Sequence, residues 1–204
     1  MKAFVSVIAG LMALGAYAPY AVDVLRGRAK PARSTRLMFV LLLFLTLLQQ
    51  GAVQSGLLVM VTVGELIGSC VLLLMAIKHG EGGLSRLDTW CYLLLALELL
   101  LWASTKNALL ALHLSVLADT IAFVPTLVKT WQKPWSETPA FYVIGAVAPA
   151  LNILAANHYT YTVLLFPAYL VVANLAEVVL MVARAKSLAG SIPKTDSVYN
   201  ELRS

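Results

Sequence analysis

The chain runs through one stretch after another of about 20 residues that are apolar on every side, and few folds can accommodate that. A helix packed onto a soluble core is apolar along one stripe and polar on the rest, so a helix apolar all round must be buried or sit in lipid. The runs also lack the period-2 alternation of a membrane barrel, and in hydrocarbon a backbone that pairs within its own segment is the remaining option. The sequence therefore predicts an all-α membrane fold of seven transmembrane helices, with spans near residues 3–25, 36–55, 56–78, 87–104, 107–131, 139–157 and 160–184. Composition points the same way: 12% of the 204 residues are charged, against roughly 25% in soluble domains. Seven spans with short connections use up the length, leaving no room for a soluble domain.

Punctuation falls between the runs. Arg26 to Thr35 is basic and holds Pro31, His79 to Gly83 holds three glycines, and Gln132 to Thr138 holds Pro134. Residues 187–204 turn polar and read as a disordered cytoplasmic tail. Ala16-Tyr17-Ala18 imitates a secretory cleavage site, but Pro19 follows directly, the apolar run continues to Leu25, and the basic cluster comes after the segment where a signal would have it in front. The segment is read as the first helix.

Cations retained on the cytoplasmic side orient the chain. Of its 15 Lys and Arg, only Lys2 and Lys106 fall on one side of the seven-span alternation; the others cluster on the opposite side, beginning with Arg26, Arg28, Lys30, Arg33 and Arg36. This puts the N-terminus outside and the C-terminus in the cytoplasm, in the cell (inner) membrane. The net charge of +5 is then an orientation signal that faces anionic headgroups, with no nucleic acid required.

An internal repeat is also visible. At an offset of 106, Pro19 falls on Pro125, Val22 on Val128 and Met75 on Met181; beyond the first loop the offset becomes 103, where Lys30-Pro31-x-x-x-Thr35 meets Lys133-Pro134-x-x-x-Thr138, Gln49 meets Asn152 and Gln54 meets Asn157. The chain divides into a three-helix bundle at 1–78, a linker helix at 79–105 and a second bundle at 106–186. Three spans invert the chain and the linker restores it, so the two bundles are parallel, related by an axis along the membrane normal.

Pro19-Tyr20 followed by the basic loop to Thr35, and Pro125-Thr126 followed by Lys129, Lys133, Pro134 and Thr138, resemble the signature of the PQ-loop and SWEET-like transporter superfamily. The Gln of that signature is Tyr20 in one unit and Thr126 in the other. The resemblance implies a 3+1+3 plan whose bundles rock about a central cavity, carrying a small polar, sugar-like solute by alternating access. Two alternatives accompany it: a proton-coupled carrier of an amino-acid-like solute, and a non-transporting receptor or assembly factor on the same scaffold.

Proline inside a span removes a backbone hydrogen bond, which makes Pro19 and Pro125 candidate hinges. Polar side chains within spans are costly unless they face a cavity or a partner. Gln49 and Asn152, equivalent in the repeat, are the expected pair of substrate ligands, with Asn174 and Asp119 nearby; the competing role for the amides is a hydrogen bond between bundles. Carboxyls in hydrocarbon can take up and release protons, so Asp119, Glu177 and Glu65 are candidates for proton coupling. His79, His113 and His158 fall at unrelated depths, and no nucleophile elbow, phosphate loop or metal spacing accompanies them, so neither an enzyme nor a cofactor or metal is expected. Cys70 and Cys91 are assigned to packing. The partners expected are the solute and the bilayer, with a homo-oligomer left open.

Overall fold

The computed structural model describes residues 1–27, 31, 33–53, 57–80 and 86–190, which form seven α-helices. In chain order these are α1 (Lys2–Leu25), α2 (Arg33–Val53), α3 (Met60–His79), α4 (Arg86–Thr105), α5 (Ala108–Gln132), α6 (Pro139–Leu154) and α7 (Tyr161–Gly190). Segments within α1, α2, α3, α5 and α7 are long and apolar enough to cross a membrane; α6 is apolar but, at 16 residues, shorter. The chain is an all-helical integral membrane protein. Helix α4 has 20 residues, but Arg86, Asp88 and Glu98 lower its hydropathy.

Most helix ends match the sequence reading within three residues. Helix α6 stops at Leu154, where the Ala155 and Ala156 amides turn back onto Asn152 and Ile153, short of the expected 157. Helix α7 runs on to Gly190, so residues 187–190 belong to it, while the remainder of the expected tail lies outside the described residues. Lys30 and Gln54, used to align the repeat, also lie outside them.

Many small side chains lie in the interior, and many large apolar ones face outward. Ala9, Ala13, Ala111, Ala118 and Ala148 are buried, while Leu74, Leu100, Val172 and Val179 face outward. Lipid tails are as apolar as leucine, so helices in a bilayer gain most from close backbone approach at small residues. Gly10 and Gly64 provide it between α1 and α3: a Cβ on Gly64 would overlap the Gly10 carbonyl oxygen.

Packing follows a regular pattern. Helix α3 packs against both α1 and α2, and α7 against both α6 and α5. Between these groups the main contacts are α1 with α6 and α2 with α5. Exchanging α1 with α5, α2 with α6 and α3 with α7 returns the same set of contacts. Helix α4 packs on α5 and α2, outside that exchange.

Candidate functional site

A cavity of about 110 Å³ lies between the helices, lined by residues of α1, α2, α3, α5, α6 and α7 and by none of α4. Four pairs of its lining positions are repeat equivalents: 13 and 119, 17 and 123, and 20 and 126 differ by 106, and 39 and 142 differ by 103. Equivalent positions of the two units thus face the same space, as a two-fold axis through the cavity requires.

Six of its 17 lining residues are aromatic. Phe141 stands edge-on to Tyr17 and Tyr142, with ring centroids 5.1 Å away in each case, and Tyr142 meets Phe123 at 6.2 Å. Gly68 on α3 leaves the room in which the Tyr17 ring sits, since a Cβ there would collide with it. The Tyr17 hydroxyl is 3.0 Å from Ser69 Oγ.

Three charged residues interrupt these walls. Asp119 accepts a hydrogen bond from the Tyr169 hydroxyl at 2.6 Å. Glu65 Oε2 is cut off from solvent and has no hydrogen-bond partner. Arg36 donates from Nη2 to the Tyr20 hydroxyl at 2.9 Å and stacks over that ring at 4.8 Å, while its Nε, also buried, has no partner. Arg36 is in the first turn of α2 and Glu65 in the second turn of α3. Because α2 and α3 are consecutive spans of opposite direction, guanidinium and carboxyl mark opposite ends of the cavity.

The predicted residues divide. Asp119, Asn174 and Glu65 line the cavity. Asn174 donates Nδ2 to the Leu170 carbonyl at 2.8 Å, and its Oδ1 lies where a Cβ on Gly145 would sit 2.7 Å away. Gln49 and Asn152 do not line it. Buried Gln49 donates Nε2 to Glu98 Oε1 on α4, and Ser115 Oγ of α5 lies 2.8 Å from the same carboxyl oxygen and 3.1 Å from Gln49 Oε1. Asn152 donates Nδ2 to the Leu58 carbonyl at 2.5 Å. The amides spend their donors on helix packing, because a partner from outside their own repeat is within reach of each. Glu177 is fully buried and accepts from Thr130 Oγ1 on α5, away from the cavity lining. Pro19 and Pro125 both fall inside helices, α1 and α5. The sequence reading missed Arg36, Tyr17 and Tyr142. It counted Arg36 as an orientation charge, and an aromatic residue in an apolar run carries no signal for cavity against lipid.

At the ends of the cavity-forming helices the groups are tied by polar contacts. Thr138 Oγ1, at the start of α6, donates to Asp23 Oδ2 near the end of α1 at 2.7 Å. Its repeat equivalent Thr35 donates instead to Asp88 Oδ1 of α4 at 2.9 Å, and Ser34 to Asp88 Oδ2 at the same distance. The linker helix thus occupies a contact that the symmetric arrangement would leave between α2 and α5. Comparison of the chain with family models, with curated proteins and with solved structures finds no match.

Proposed function

We propose that the chain is a transporter that moves a small polar solute across the membrane by alternating access between two parallel three-helix bundles, α1–α3 and α5–α7, joined by α4 as linker. The observation that carries this reading is the cavity: six helices contribute to it, the seventh does not, and repeat-equivalent positions line it together. A cavity on the axis between two similar bundles is where carriers built from parallel repeats hold their solute, since rocking about it opens each side in turn. Seven crossings with the N-terminus outside and the C-terminus in the cytoplasm of the cell membrane belong to the same proposal, supported by the lopsided distribution of Lys and Arg. So does membership of the PQ-loop and SWEET-like superfamily, which rests on the resemblance around Pro19 and Pro125.

The sugar-like choice of solute leaned on Gln49 and Asn152, and their hydrogen bonds lie elsewhere. Glu65 and Asp119 facing one cavity favour the proton-coupled version of the carrier. The test is uptake of labelled polyols, sugars, amino acids and amines by liposomes containing the purified chain, with and without a pH gradient. Accumulation above empty liposomes for at least one class supports transport; equal retention for all classes assigns the fold to a receptor or assembly role.

A further inference from the structure

The charges in the cavity restrict which solute can occupy it. Two carboxyls, Glu65 and Asp119, face one guanidinium, Arg36, and among the described residues neither carboxyl forms an ion pair. With both carboxyls ionised the cavity carries one uncompensated negative charge in a region where net charge is costly. One positive charge cancels it, and that charge can arrive as a proton on a carboxyl or as a monovalent cation between them. The remaining titratable groups near these three are Tyr17 and Tyr20 of α1, Cys91 of α4, Tyr142 of α6 and Tyr169 of α7. Tyr169 and Tyr20 are neutral partners of Asp119 and Arg36 respectively. Tyr142 directs its hydroxyl out of the cavity onto Glu137, at 3.0 Å. They leave the count unchanged.

The walls select the kind of cation. Inorganic ions need several oxygen ligands converging on one point to replace their water, whereas Tyr17, Tyr20, Phe39, Phe123, Phe141 and Tyr142 among the lining residues are aromatic, and aromatic rings attract organic ammonium groups. The Oε2 of Glu65, cut off from solvent and without a hydrogen-bond partner, is a free acceptor in this lining. We propose that the cavity is an exchange site in which a small organic cation and a proton alternate on Glu65 and Asp119, so that the protein runs as an organic cation/proton exchanger. Alternation follows from the count, because cation and proton together would leave the cavity with an excess positive charge. This rests on the transport reading above and names its solute class and its coupling.

Tetramethylammonium is the probe, since it has no ionisable proton and cannot mimic exchange by crossing the lipid as a free base. Added outside liposomes that hold the full chain and a trapped pH dye, it should make the interior alkaline as protons leave. Asp119→Asn and Glu65→Gln, which keep side-chain shape, should each reduce that signal at least tenfold. Calorimetry on the wild-type chain in detergent gives a readout independent of any variant. One-for-one displacement releases a proton per bound cation, and affinity strengthens by up to tenfold per unit rise in pH while the site still holds its proton. Binding without proton release overturns the proposal. Uptake of a neutral polyol with neither binding nor proton movement for tetramethylammonium also overturns it, while leaving transport standing. Cation binding with proton release but no uptake of any solute supports the site and overturns transport.

Discussion

At the scale of single residues, Glu98 shows how a buried acid can be structural. Its Oε1 draws Gln49 from α2 and Ser115 from α5 to α4, joining three helices at one atom. A double-mutant cycle should detect this. Gln49→Leu with Glu98→Leu should couple by about 1 kcal/mol in thermal stability, as contacting polar groups do. Gln49→Leu with Asn152→Leu should be additive within about 0.5 kcal/mol, because the two amides share no partner. Coupling between the amides and none to Glu98 would restore the facing pair expected from the repeat. Glu98 falls within the expected span at 87–104, but its partner could not be read from the sequence. Repeat symmetry directs attention to matched pairs such as Gln49 and Asn152, and α4 stands outside the repeat. Asp119, Glu65 and Asn174 drew attention as polar side chains in apolar runs, which need a cavity or a partner, but so did Gln49, Asn152 and Glu177, and only the packing separates the two groups.

Among the elements, the seven helices were legible because hydrocarbon demands long uninterrupted runs, whereas their contacts were not, since apolar surface carries little record of its partner. The exception is glycine. Gly10 and Gly64 leave no room for a methyl group, while Gly15 faces open space with nothing within 4 Å of an added Cβ. Gly64→Ala should therefore force α1 and α3 apart and cost about 1–3 kcal/mol, the usual penalty for overpacking. Gly15→Ala should be neutral or stabilise by about 0.4–1 kcal/mol through the unfolded chain. Thermal unfolding in detergent measures both, and equal effects at the two sites would contradict the close approach. Hinge bending is the other element-level property. Pro19 interrupts α1 beside the cavity residues Tyr17 and Tyr20, so Pro19→Ala restores a backbone hydrogen bond where a rocking bundle would flex. Pro19→Ala and Pro125→Ala should insert normally and slow transport severalfold. Transport at the parental rate would make both prolines static kinks.

For the whole molecule, the decisive quantity is the number of crossings, and it turns on α4 and α6. Helix α6 covers about 24 Å at 1.5 Å per residue, less than a hydrocarbon core of roughly 30 Å, and α4 carries Arg86, Asp88 and Glu98. For α4, 20 residues cover about 30 Å, and its charges are placed as a crossing requires. Glu98 is buried against Gln49 and Ser115, away from lipid, and Asp88 sits in the first turn of α4, bonded to Ser34 and Thr35 at the end of the helix where basic residues gather. If α4 and α5 both cross, Ser104 and Lys133, exposed at the two ends of α5, lie on opposite sides of the membrane, Ser104 outside. The labelling background is Cys70→Ala and Cys91→Ala, since Cys70 is exposed and Cys91 is buried where alanine fits. In that background an impermeant thiol reagent applied to intact cells should label Ser104→Cys and spare Lys133→Cys, and inverted vesicles should give the reverse. The reverse pattern in intact cells would mean that α4 does not cross or that the positive-inside orientation is inverted. Labelling of both from one side would mean that α5 does not cross, and the symmetric packing of α1 with α6 and α2 with α5 could not then be a transmembrane interface between two parallel bundles.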